Sequence, residues 1–195
     1  KSSRQTRNQI INNKSVGYLS VEVNGSRNQN IFEMQLSNKA LWRNKHIKSL
    51  EMNYSKHIYG NDMLDLILPI IEDKRISSLS ELNKQIILKV CSYLKIQCNF
   101  YSDKNFKTVG IKSFRIHELC KLLQIENYYS PIGAKVYIEG EQILIKNKIK
   151  TTYQKNKGIQ YVQKNSENFI PNLSVVDLLA NVSIDEANNF ILNNY

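Results

Sequence analysis

The stretch Asn127-Tyr-Tyr-Ser-Pro-Ile-Gly-Ala-Lys-Val-Tyr137 sets the fold class. Its aromatic and apolar residues read as a strand leading into a Ser130-Pro131 turn and Gly133, while Ser113 to Leu123 just before it carries Phe114, Ile116, Leu119, Leu122 and Leu123 at helical spacing. Helix, strand and glycine-containing loop in that order is how open α/β sheets place ligand-binding loops at strand ends. Downstream, Gly158 to Gln163 predicts a further strand, and Phe169-Ile-Pro-Asn-Leu-Ser-Val-Val-Asp-Leu-Leu-Ala-Asn181 turns from loop into helix. There Pro171 fixes a backbone dihedral, Ser174 is placed to cap the first N–H groups, and Asp177 sits three residues on, near the positive end of the helix dipole. Ser183-x-x-Glu186 opens a last helix to about Leu192. The alternation predicts an α/β fold, mixed and helix-rich, with α+β as the alternative because the middle of the chain is dominated by helices.

Upstream, residues 1 to 14 are polar and end in an apolar patch at Ile10 and Ile11. Val16 to Val23 alternates as a half-buried strand closing at Asn24-Gly25, and Phe32 to Leu36 is its expected hairpin partner across a loose Ser26 to Asn30 connection. Leu41 to Ser55 is a helix presenting Trp42, Ile47, Leu50 and Tyr54. A second helix starts near Asp62, to be kinked or ended by Pro69, and Ser78-x-x-Glu81 opens a third that carries Leu79, Leu82, Ile86, Val90 and Tyr93 inward. Gln97 to Tyr101 is a short strand candidate.

The 195 residues, 42% hydrophobic, suffice for one domain, alone or with a subordinate lobe. No apolar run is long enough for a membrane span and no leader is visible. Three cysteines, Cys91, Cys98 and Cys120, fit reduced thiols better than a disulfide framework, so a cytoplasmic location is expected. The formal charge of +10 would ordinarily point to nucleic acid. Lysines outnumber arginines 21 to 6 and asparagine is abundant, as an AT-rich genome would produce, so part of the charge is compositional and nucleic acid is not the expected partner. Against that bias an arginine implies a need for a planar, bidentate donor, which singles out Arg4, Arg7, Arg43 and Arg115.

Familiar chemical signatures are absent: there is no Gly-x-Gly-x-x-Gly, no phosphate-binding lysine loop and no Gly-x-Ser-x-Gly elbow. His46 and His57, eleven apart, lack a third ligand, so no metal site is expected, and His117 with Cys120 reads as helix packing rather than a nucleophile pair. Tyr128, Tyr129 and Tyr137 fit a half-buried sheet better than a stacking wall. No cofactor can be named.

An ordered set of short motifs resembles the WbqC-like protein family of bacterial O-antigen and other surface-polysaccharide gene clusters. It comprises Arg7-Asn8-Gln9-Ile10, a Trp42 helix running into Tyr54, Arg115 opening a helix that feeds Tyr129-Ser130-Pro131-x-Gly133-Ala134 and Tyr137, then Gly158-Ile159, Phe169-x-Pro171-Asn172-Leu173-Ser174, Asp177-Leu178-Leu179 and Asn181. The resemblance covers nearly the whole chain and implies a single domain over 1–195, lacking the strand segment that the family usually carries before its Arg-Asn motif. It further implies a cytoplasmic transferase acting on a nucleotide-linked amino sugar by acyl or aminoacyl transfer. In that reading Asp177, Ser130 and Ser174 serve the chemistry, while Arg7, Asn8, Arg115, Tyr129 and Asn172 bind substrate.

The competing expectation is a non-catalytic binding module, either a basic nucleic-acid binder or a partner in polysaccharide assembly. A sugar-nucleotide enzyme calls for a concave site where two or more of Arg7, Arg115, Ser130 and Asp177 converge; a nucleic-acid binder calls for a continuous basic face.

Overall fold

The computed structural model describes residues 5–25, 29–38, 41–102, 105–154 and 158–192. Arg4 and residues 26–28 of the Ser26 to Asn30 connection lie outside them. The fold is α/β, mixed and helix-rich, and falls into two compact units, Lys1–Gln97 with Gly158–Leu192, and Cys98–Lys157.

The first unit begins with an antiparallel hairpin of β1 (Arg7–Asn12) and β2 (Ser15–Ser20). Its two-residue turn, Asn13-Lys14, has φ of 47° and 64°, the left-handed pair that matches the twist of a tight hairpin. Side chains of adjacent strand residues point to opposite faces, yet Ile10 and Ile11 are both buried, so this strand is covered on both sides. The polar stretch ending in the Ile10-Ile11 patch is thus a strand: Gln9 and Asn12 are polar, but they sit beside the two isoleucines that anchor it. The predicted hairpin of residues 16–23 with 32–36 is reduced to a two-residue ladder of β3 (Val23–Asn24) with β4 (Gln35–Leu36).

Helix α1 (Leu41–Tyr54) buries Trp42, His46, Leu50 and Tyr54, a strict every-fourth-residue stripe, together with Arg43. His46 thus takes the core-facing place expected for Ile47, which is only half-buried. A short connection leads to α2 (Gly60–Glu72), in which Pro69 lies inside and the helix runs three residues beyond it. Gly60 is required by close approach: a Cβ there would lie 1.9 Å from the Tyr54 carbonyl oxygen. Helix α3 (Leu79–Tyr93) starts at Ser78, whose hydroxyl accepts the Glu81 N–H at 3.2 Å. Together with α7 (Val175–Asn181) and α8 (Ile184–Leu192), these helices enclose a core that includes Trp42, Leu50, Met63, Leu79, Leu82 and Leu179.

Arg43 shows what one retained arginine is for. Its guanidinium donates to the carbonyls of Ile71 and Ile76, where α2 ends and the chain turns toward α3, and it lies 4.6 Å from the Trp42 ring centre. Two fixed N–H directions meet two backbone acceptors, a geometry lysine cannot reproduce.

The second unit holds α4 (Lys112–Leu122), β5 (Asn127–Ser130), a 3-10 turn at Ile132–Ala134, α5 (Lys135–Glu141), α6 (Ile143–Lys146) and β6 (Lys150–Tyr153). Strands β5 and β6 pair in parallel, Asn127 opposite Lys150 and Ser130 opposite Tyr153. The intervening helices make the crossover that parallel pairing demands. Cys120, Ile138, Leu144 and Ile149 form its core.

Three expectations change here. Residues 131–137, read as a turn and glycine-containing loop with Tyr137 in a sheet, turn helical after Pro131, so Tyr137 packs from a helix. The parallel partner of β5 is Lys150–Tyr153, whose polar Lys-Thr-Thr carries no strong apolar alternation. Residues 97–101 and 158–163 form no strand; Phe100 and Tyr101 are exposed, and Gln163 spends its side chain on the Ile170 backbone.

Candidate functional site

The sequence-derived residues divide between the units. Arg115, half-buried on α4, exposed Tyr129 and fully buried Ser130 on β5 belong to the second. Arg7, Asn8, Asn172, Ser174 and Asp177 belong to the first.

In the first unit β1, β2, α1, α2, α3 and the start of α7 surround a cavity of about 490 Å³, within the roughly 300–1,000 Å³ typical of small-molecule sites. Its floor is apolar, built from Trp42, Leu50, Ile67, Ile71, Leu82 and Ile86, and its polar lining includes Arg7, Asn8, His46, Asn83 and Ser174. The cavity therefore brings together Arg7, Asn8 and Ser174. Of the four residues whose convergence would mark an enzyme, Arg7 alone lines it.

Each polar group is held by its element. Arg7 begins β1, is exposed, and its guanidinium carbon stands 4.2 Å from the Tyr18 ring centre across the hairpin. Among the described residues no carboxylate pairs with it, so it faces the cavity as an uncompensated cation. The Asn8 side-chain oxygen accepts the Gln9 N–H at 2.8 Å. Asn83 reaches from α3 to donate to the Gln5 carbonyl at 3.1 Å. Ser174 does not cap α7 with its side chain; its carbonyl accepts the Asp177 N–H at 2.9 Å and its own N–H donates to Gln9 at 2.8 Å, tying the helix start to β1. The cap expected there is replaced by backbone bonds.

Asp177 points elsewhere. It is fully buried, and its Oδ2 accepts from the Tyr161 hydroxyl at 2.7 Å and from Gln163 Nε2 at 3.2 Å. Burial pushes its carboxyl above the usual carboxylate range, against the opposing hydrogen bonds from Tyr161 and Tyr54 and the nearby His57. Burial likewise raises the Tyr54 and Tyr161 hydroxyls and lowers His57. Gln163 also binds both backbone groups of Ile170, so this cluster fastens residues 161–170 to α7. Asn172 is exposed, in the left-handed conformation at φ 61°.

His46 was missed as a site residue, although the signal was present: it stands four residues from both Trp42 and Leu50, on the apolar stripe of α1. Only 7% exposed, it carries an Nε2 that is buried without a hydrogen-bond partner. In the second unit Cys120 is buried and its thiol is pushed up by burial, which makes it core rather than nucleophile. Among the described residues no group of three or more His, Cys, Asp or Glu side chains is arranged to hold a metal ion, and no helix is long and apolar enough to cross a membrane.

The WbqC-like protein family model matches residues 1–189. The chain belongs to this family. The adjacent Arg7 and Asn8, and Ser174 far from them in sequence, share the cavity with Trp42. The chain is also similar to Rv1507c, an uncharacterized protein of Mycobacterium tuberculosis, at 26% identity over 183 residues, covering 93% of this chain and 78% of the relative. No solved structure matches it significantly.

Proposed function

We propose that this member of the WbqC-like family is a cytoplasmic transferase of bacterial surface-polysaccharide (O-antigen) biosynthesis, moving an acyl or aminoacyl group onto the amine of a nucleotide-linked sugar. The observation that carries the reading is the meeting of Arg7, Asn8 and Ser174 at one small-molecule-sized cavity with an apolar floor. A nucleotide sugar offers a diphosphate for a cation, hydroxyls for amides and a compact body for a concave wall. Arg7 then binds phosphate, its plane steadied by Tyr18, while Asn8 orients the sugar and Ser174 lines the reacting centre. Asp177, enclosed with Tyr161 and Gln163, acts as an orienter of the α7 start rather than by touching substrate. A chemical role for Ser130 and substrate contacts by Arg115, Tyr129 and Asn172 are tested by alanine variants in a turnover assay.

The test is a thermal-shift panel of nucleoside-diphosphate amino sugars, acyl thioesters and short nucleic acids, since a ligand that binds the native state raises its melting temperature. The expected result is stabilisation by a nucleotide amino sugar that Arg7→Ala abolishes. Stabilisation by nucleic acid alone, falling steeply with salt, would replace this reading with that of a basic binding module.

A further inference from the structure

We propose that His46 is the catalytic base of the first unit's cavity and that the apolar floor beside it seats a short acyl group delivered as a thioester or ester. This rests on the transferase reading and names its proton acceptor and its donor class.

Three observations converge on the imidazole. His46 is 93% buried by its 7% exposure, and its Nε2 has no partner although it lines a cavity large enough for a ligand. A buried polar atom left unpaired in a native structure calls for an explanation, and a ligand group is one. With Nε2 left without a protein partner, it is the ring nitrogen free to carry the lone pair in the Nδ1–H tautomer. The Trp42 ring, 5.2 Å away and edge-on at 74°, holds the imidazole from the preceding turn of α1. Burial lowers its pKa, so it is neutral and able to accept a proton near pH 7.

The rest of the lining narrows the role. Among the described residues it contains no Asp, Glu, Lys, Cys or Tyr, so His46 is the lining side chain there whose ordinary pKa lies near neutrality. Trp42, Leu50, Ile67, Ile71, Leu82 and Ile86 offer nothing polar to a sugar but suit a hydrocarbon group.

In the step assigned here, the acceptor amine attacks the acyl carbonyl carbon. The C–N bond forms and the bond from that carbon to the donor's sulfur or oxygen breaks, the leaving atom taking the electron pair. The proton lost by the attacking nitrogen passes to His46 Nε2, and the resulting imidazolium returns it to the departing thiolate or alkoxide.

The experiment uses the full chain and two probes that are themselves activated acyl compounds. Diethyl pyrocarbonate acylates neutral, accessible imidazoles; mass spectrometry is expected to find His46 modified at pH 7 well before His57. p-Nitrophenyl acetate, butyrate and hexanoate are expected to release p-nitrophenolate with a preference for a short chain, and His46→Asn to lower that rate by about 10²-fold, the lower end of general-base effects. Circular dichroism checks that the fold persists. Ester cleavage at the wild-type rate in His46→Asn would overturn the assignment, as would a His46 no more reactive to diethyl pyrocarbonate than His57; the latter comparison needs no variant and decides the matter even if His46→Asn does not fold. Failure of nucleotide sugars to bind while His46 keeps its reactivity would instead remove the proposed acceptor and leave the base in place.

Discussion

The Tyr161 hydroxyl, itself half-buried, donates to Oδ2 of the fully buried Asp177 at 2.7 Å. With the Gln163 bond to the same oxygen, it joins the irregular 161–170 segment to α7, the helix whose first residues line the cavity. Tyr161→Phe removes the donor and leaves only Gln163 on that oxygen. A loss of about 1–3 kcal/mol in unfolding free energy is expected, the cost of depriving a buried acceptor of a partner, measured by urea denaturation at pH 7.

Asp177→Asn has the opposite sign at neutral pH. A carboxyl whose folded pKa is raised contributes stability below about pH 3.8, its unfolded value. That stability is lost as pH rises through the raised value, because the folded state then holds on to a proton the unfolded state has released. The asparagine oxygen can keep the Tyr161 and Gln163 bonds, and its amide carries no charge to desolvate. Melting temperatures should be higher for Asp177→Asn than for wild type at pH 7, with the gap closing below about pH 3.8. A carboxylate that touches substrate would instead show itself as lost turnover in the same variant.

The two buried histidines act in the other direction. Burial lowers the pKa of His46 and His57 from 6.5. Their contribution is fully present above pH 6.5 and is lost as pH falls through their lowered folded values, because the unfolded chain takes up protons first. Stability should therefore decline on acidification below about pH 6.5, by up to about 1.4 kcal/mol per pH unit for each histidine. His46→Asn should remove its share of that slope, as read from denaturation midpoints between pH 5 and 8.

Gly60→Ala tests the turn between α1 and α2. The added methyl meets the Tyr54 carbonyl oxygen, a backbone atom that cannot step aside cheaply. Tyr54 itself is fully buried and its hydroxyl accepts the Ile11 N–H at 3.1 Å, so movement there is felt in β1. A cost of about 1–3 kcal/mol is expected, the usual range for overpacking, visible as a lower denaturation midpoint.

The helices were legible in sequence because their signals are local. Ser78 and Ser183 cap as their spacing predicts, and the Trp42-Leu50-Tyr54 stripe sits on the buried face. Strands were read less well because pairing is a property of two segments. Lys150–Tyr153 has little apolar alternation and forms a ladder because β5 lies alongside it, whereas residues 158–163 look strand-like and form no strand among the described residues. The site was legible in part: Arg7, Asn8 and Ser174 were singled out from motifs, but the cavity that joins them depends on the bond between Ser174 and Gln9, which no local pattern encodes. Asp177 looked like a helix-start charge, and its burial follows from Tyr161 and Gln163, residues outside its own helix. His46 was discounted for lacking metal-ligand partners, when the informative feature was its place on an apolar stripe.

The central claim is that the cavity bounded by Arg7, Asn8, His46 and Ser174 is where substrate binds, and the chain's single tryptophan, Trp42, forms part of its floor. Titration of the full chain with UDP-glucosamine, followed by intrinsic tryptophan fluorescence, reads that cavity directly. The account predicts a saturable change in Trp42 emission that Arg7→Ala weakens at least 10-fold. Binding detected by calorimetry with Trp42 emission unchanged, or a fluorescence change that Arg7→Ala leaves intact, would contradict it.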